Sequence, residues 1–142
     1  MHIAINLKDQ FNQKLFELFE RNYSTNKEYS YEYQYNCIKS LDYWFTMYDN
    51  DDNIIASCSV IQENNNIYEI NDVLVEPQFR GNNYSILLIM NVLYYFEQNF
   101  TDKININIIA ELYNLSAFYS YKKIFGEPYR CDNRYAYFSY VV

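Results

Sequence analysis

The run from Ile67 to Phe100, IYEINDVLVEPQFRGNNYSILLIMNVLYYFEQNF, limits the possible folds more than any other part of this chain. An apolar, β-branched segment (Tyr68 to Val75) is followed at once by a tight loop with Pro77, Arg80 and Gly81, and then by a long apolar segment from Tyr84 to Asn99. Strand, loop and helix in unbroken order aim the unpaired N–H groups and positive dipole end of a helix at whatever lies before the loop. Such a junction is a ready cradle for phosphate.

The rest of the chain must build a sheet around that unit. At 142 residues it has the length of one ordinary domain, so residues 1–142 are expected to form a single folded unit. His2 to Leu7 alternates as a first strand, and Lys8 to Arg21 places Phe11, Leu15, Leu18 and Phe19 at helical spacing. Asn22 to Ser40 fits two patterns, because Tyr29, Tyr31, Tyr33 and Tyr35 alternate like a strand while Tyr29, Tyr33 and Cys37 share a helical face; a loop and short helix is the preferred reading. Leu41 to Tyr48 and Asn53 to Gln62 pair as a hairpin across Asn50 to Asp52, and Glu63 to Asn66 turns the chain into the central strand.

Beyond the long helix, which is apolar nearly all round with Asn91 and Gln98 on its wet line, Ile104 to Leu112 reads as a strand parallel to the central one. Asn114 opens a short helix that Gly126 ends and Pro128 keeps from resuming. Tyr129 to Cys131 and Tyr135 to Val142 close the chain as a hairpin around Asp132 and Asn133. With 18 Tyr and 10 Phe the core should be strongly aromatic, and with only two Gly and two Pro, Asn must serve many turns.

Charge and cysteine usage exclude several functions. A net charge of −7 and a pI near 4.6 disfavour a broad basic face for nucleic acid, and exposed Tyr and Phe without a positive groove do not make a single-strand platform. An acidic surface suits a cationic small molecule or basic peptide, or serves solubility alone. Cys37, Cys58 and Cys131 form no C-x-x-C pair and, with the single His2, no metal set; three thiols without a pairing pattern fit a reducing compartment. MHIAINLKDQF lacks the features of a secretory signal and no apolar run reaches the roughly 18 residues of a membrane span, so a cytoplasmic protein without membrane contact is expected.

Two strings, VEPQFRGNNYS and NLSAFYSYKKIFGE, resemble the motifs of the GNAT superfamily of acyl-coenzyme A-dependent N-acyltransferases. Val75, Pro77, Arg80 and Gly81 match its V-x-P-x-x-R-G-x-G-x-G/A pattern, with Asn83 and Ser85 where the family has its later glycine and small residue. Asn114, Ala117, Tyr121 and Lys123 match N-x-x-A-x-x-x-Y-x-K, while Phe125 and Gly126 stand in swapped order relative to the family's G-F. The resemblance implies an α/β fold: a mixed, mostly antiparallel sheet with a splayed central parallel strand pair, flanked by about four helices. It implies acetyl-CoA as co-substrate, no metal, and transfer of an acetyl group to a primary amine, on a small molecule, amino sugar or peptide, by direct attack.

By the same resemblance the main chain of Leu74 and Val75 would bind the pantetheine arm, and the N–H groups of Arg80, Gly81, Asn82, Asn83, Tyr84 and Ser85 the pyrophosphate. Asn114 would contact the pantetheine arm or fix the second helix, and Tyr121 would be the general acid. A phenol with pKa near 10 suits a thiolate whose conjugate acid lies near 8.5. Deprotonating an ammonium calls for a carboxylate, Glu69 or Asp72, which a regular strand would send to opposite faces unless a bulge intervenes. Each competes with a plainer role, Tyr121 as packing and the carboxylates as solvated charges. The Tyr29 to Tyr35 segment is either acceptor-side wall or packing. A GNAT-like domain that binds acyl-CoA or a partner without turnover is the alternative, and both monomer and homodimer fit.

Overall fold

A computed structural model describes residues 1–7 and 43–142. In it seven strands form one sheet: β1 (His2–Leu7), β2 (Tyr43–Tyr48), β3 (Ile54–Asn64), β4 (Ile67–Val75), β5 (Asn105–Glu111), β6 (Arg130–Cys131) and β7 (Tyr135–Val141), in the order β1-β2-β3-β4-β5-β7-β6. All neighbours are antiparallel except β4 and β5. The mixed sheet is the expected one. Two helices are found among the described residues, α1 (Tyr84–Asn99) and α2 (Leu115–Phe125), against about four expected; the other two, over Lys8 to Ser40, fall outside the described residues.

Local chemistry fixes the turns as the sequence implies. Between β2 and β3 the Asp49 carboxylate accepts the N–H groups of Asp51 and Asn53, both at 2.9 Å, and Asp132 does the same for Arg134 and Tyr135 in the closing hairpin. Asn114 caps α2 by accepting the Ala117 N–H at 3.2 Å, and Gly126, at φ 81°, ends it.

Both helices pack on the same face of the sheet, α1 over β2 to β4 and α2 over β5 and β7. The side chains on that face are Phe45, Met47, Cys58, Val60, Tyr68, Ile70, Ile106, Ile108 and Phe138, closed from above by Leu88, Val92, Phe96 and Tyr121. Phe96 lies at the centre, its ring 4.9 Å from Tyr68, 5.0 Å from Phe100 and 5.6 Å from Tyr43. Burying a side chain of that size contributes roughly 1.5–3 kcal/mol. The opposite face carries Trp44, Thr46, Ser57 and Ser59, all buried as well. One expectation fails: the wet face of α1 is wider than a line through Asn91 and Gln98. Met90 and Tyr94 are 54% and 61% exposed and Asn91 is half-buried, because the sheet occupies only the stripe of Leu88, Ile89, Val92, Leu93 and Phe96.

Two irregularities position the site. The β4–β5 ladder ends at Ile70 and Ile108, although β4 runs on to Val75 and β5 to Glu111, so the two strands part around a gap. Across β3 and β4, Ser59 pairs with Asn71 and Ser57 with Leu74, leaving Cys58 opposite both Asp72 and Val73. That is a β-bulge, with Asp72 at φ 52° as its left-handed residue. Before it Tyr68 and Ile70 face the helices; after it Val73 and Val75 do.

Candidate active site

The gap between β4 and β5 opens into a cleft of about 320 Å³ walled by the end of β4, the loop into α1 and the first two turns of α2. Val73, Leu74 and Val75 form its floor, Gly81, Asn83, Tyr84 and Ser85 one end, and Asn114, Ser116, Ala117, Ser120 and Tyr121 the far wall. Sequence reasoning named most of these and brought the right segments together. It missed Val73, Phe79, Ser116 and Ser120. The two serines had a legible signal, since small residues at 116, 117 and 120 share one helical face with Tyr121.

The loop is built by its own polar groups. A single 3-10 turn (Pro77–Phe79) follows β4, with proline at its start where no N–H is needed. The Arg80 N–H is bonded to Pro77 O at 3.3 Å and its Nε donates to Val75 O at 3.0 Å, so the Arg80 amide is spent on closing the turn. Asn82 is outside the cleft lining; its side-chain amide donates to Phe79 O (3.0 Å) and Arg80 O (3.3 Å), bracing the loop. Gly81 at φ 83° and Asn83 at φ 61° then turn the chain into α1. A Cβ on Gly81 would meet no protein atom within 4 Å, so within the chain it is the positive φ of the turn, not packing, that favours glycine. Asn83 caps α1 with its backbone alone; its side chain makes no cap bond. The N–H groups that open the helix therefore face the cleft without a side-chain cap, which is what an anionic diphosphate needs.

Tyr121 stands on the far wall, 8% exposed, its ring edge-on to Phe138 at 6.1 Å. Among the described residues its hydroxyl has no hydrogen-bond partner, and it borders the cleft. Burial, with a smaller effect from Cys58, pushes its pKa up to about 12, so it stays a proton donor throughout the working range. Cys58, wholly buried beneath it and opposite the bulge, has its thiol pushed far above the ordinary range by burial, with the Asp72 carboxylate adding to it. It is an inert core thiol.

The two candidate carboxylates sit on the sheet face away from the helices. Glu69 lies opposite Ile61, two residues from Ser59 on β3, and the Ser59 hydroxyl reaches Asp72 Oδ2 at 3.4 Å. The bulge has removed the alternation that would have separated them. Glu69 is pushed up to about 7, first by burial and then by a hydrogen bond and charge from Glu63. Neither carboxylate lines the cleft itself; Asp72 immediately precedes Val73, the first residue that does.

Residues 12–126 match the model of the acetyltransferase (GNAT) family. The chain belongs to the GNAT acetyltransferase family. No protein of curated function matches the sequence. Among solved structures, this GNAT chain resembles the N-acetyltransferase PseH of Campylobacter jejuni in complex with acetyl coenzyme A, at 17% identity and a TM-score of 0.72 over 98% of both chains. It is also similar to Arabidopsis thaliana NAA60 in complex with a bisubstrate analogue, at 14% identity and a TM-score of 0.70 over 99% of this chain and 98% of that one. Mutant forms of the spermidine/spermine N-acetyltransferase SpeG from Vibrio cholerae give 15% identity and a TM-score of 0.68 over 99% and 95%. At such identities the likeness establishes the fold. Among the described residues no group of three or more His, Cys, Asp or Glu could hold a metal ion, and no helix is long and apolar enough to cross a membrane.

Proposed function

We propose that this GNAT protein is an acetyl-CoA-dependent N-acetyltransferase acting on a primary amine by direct attack. The observation that carries the reading is the single cleft joining an uncapped helix N-terminus, the parted end of β4 and the Tyr121 side chain. Acetyl-CoA would supply the activated acyl group as a thioester. The N–H groups around Gly81 and from Asn83 to Ser85 would grip the diphosphate, assisted by the dipole of α1. Main-chain groups of Leu74 and Val75, beyond the last β4–β5 pair, would receive the pantetheine amides and the developing oxyanion. Asn114, whose Oδ1 already caps α2, has its amide at the cleft for the pantetheine arm.

The acceptor would enter from the opposite face, through the gap, where the two carboxylates are. Asp72 at the bulge would hold the incoming ammonium next to Val73. Glu69, raised to about 7 by burial and Glu63, would take its proton through water: a base with its pKa near working pH is half available and still strong enough to compete. Tyr121 would return a proton to the departing thiolate. A metal has no part in this chemistry, and a cytoplasmic setting is the one we infer from the thiols. An amine panel of spermidine, glucosamine, a lysine peptide and a free peptide N-terminus, read by coenzyme A release, tests the proposal. Tyr121→Phe should lower turnover at least tenfold with acetyl-CoA affinity little changed, since the ring and its packing remain. Stabilisation by acetyl-CoA without thiol release from any amine would favour a binding module instead.

A further inference from the structure

Ser59 is fully buried on β3, on the face away from the helices, and a hydroxyl in that position costs about 1–3 kcal/mol unless bonded. Its Oγ lies 3.2 Å from Asn71 O and 3.4 Å from Asp72 Oδ2. One acceptor belongs to Asn71, the last regular pair before the β4 bulge, and the other to Asp72, its first residue, so one proton is shared between main chain and carboxylate where the bulge begins. Ser57, the next residue on that face, lies instead 3.5 Å from Thr46 Oγ1. Asp72 stands at a positive φ where its side chain leaves the strand out of step with the pleat, and the Ser59 hydroxyl lies within reach of the displaced carboxylate.

From this geometry we propose that Ser59 is a positioning residue for acceptor recognition, orienting the Asp72 carboxylate toward the amine that enters through the β4–β5 gap. The proposal rests on the reading of Asp72 as the ammonium anchor. Two neighbours share the locality: the Cys58 thiol, on the helix side of β3, and Glu69, on the same face as Ser59. Neither has a hydrogen bond to the Ser59 hydroxyl in the structure, which leaves Asp72 as the charged group through which Ser59 would act.

A double-mutant cycle with Ser59→Ala and Asp72→Asn, using whichever amine of the panel is turned over fastest, tests this. Ser59→Ala should raise the KM for the amine about tenfold and leave the KM for acetyl-CoA and kcat within twofold, because the cofactor wall is built from other segments. In the Asp72→Asn background the same substitution should change the amine KM less than twofold. A serine that only satisfies the Asn71 carbonyl would lower the melting temperature without moving the amine KM, or would act equally in both backgrounds, and either result overturns the proposal. If Asp72→Asn raises the amine KM while Ser59→Ala does not, the anchor stands and the positioning role falls. If Asp72→Asn leaves the amine KM unchanged, or no amine is turned over, the anchor reading falls and the proposal with it.

Discussion

Glu69 shows how an ordinary carboxylate on a strand acquires an unusual titration. Partial burial strips water from it, and Glu63 offers a carboxyl partner whose hydrogen bond survives only while the pair holds a proton. The sign of the linkage follows. With its pKa raised from 4.5 to about 7, the folded chain binds more protons than the unfolded chain between those values, so the stability it contributes is complete at low pH and is lost as pH rises through about 7. Glu69→Gln should therefore melt at a higher temperature than the parent at pH 8, by a few degrees given the solvent screening of a half-exposed pair, and the difference should vanish by about pH 4. Equal melting curves at pH 8 would show that the two carboxylates do not share a proton. The same variant should flatten the acidic limb of the activity profile. Sequence placed Glu69 and Asp72 on the central strand, but the Glu63 contact depends on a register shift between Gln62 and Asn64 that no spacing rule announces.

At the scale of elements, the two described helices and the described hairpins were legible because their signals are local. Asn114 and Gly126 bracket α2, Asp49 and Asp132 sit in their turns, and the α1 boundaries follow from the loop before Tyr84 and the polar run after Phe96. The bulge entered only as a condition on the two carboxylates, since no local signal places it. An αL aspartate inside a strand looks in sequence like any solvated charge, and only pairing with Cys58 shows that one residue too many is present on β4. The width of the wet face on α1 was hidden for the converse reason: Met90 and Tyr94 are apolar, and the sequence cannot say how much of a helix a sheet will cover. Asn114→Ala should cost about 1 kcal/mol by removing the cap, read as a lower denaturation midpoint with unchanged slope, and should weaken acetyl-CoA binding because the same side chain borders the cleft. At the bulge, Asp72→Gly should be more stable than Asp72→Ala by about 1 kcal/mol, since alanine is strained at φ 52° and glycine is not. A more stable alanine variant would mean that the bulge is not held in solution.

For the molecule as a whole, the proposed function would have the sheet separate two electrostatic tasks. One side has a helix N-terminus without a side-chain cap, which would attract a polyanionic cofactor at short range, within a chain whose net charge of −7 would repel that cofactor at a distance. On the proposed reading the other side would meet the amine with the Glu69 and Asp72 carboxylates, so near and far fields would act together. Salt shortens the range of the far field to about 10 Å at 0.1 M and leaves contacts inside a partly enclosed cleft less affected. Raising the salt from about 0.05 to 0.3 M should then speed acetyl-CoA association severalfold, while kcat/KM for a cationic acceptor such as spermidine falls severalfold and kcat changes little. The opposite slopes are the signature. Stopped-flow binding for the cofactor and steady-state rates for the amine would measure them, and slopes of the same sign would show that the overall charge does not govern how the two substrates reach opposite faces of one sheet.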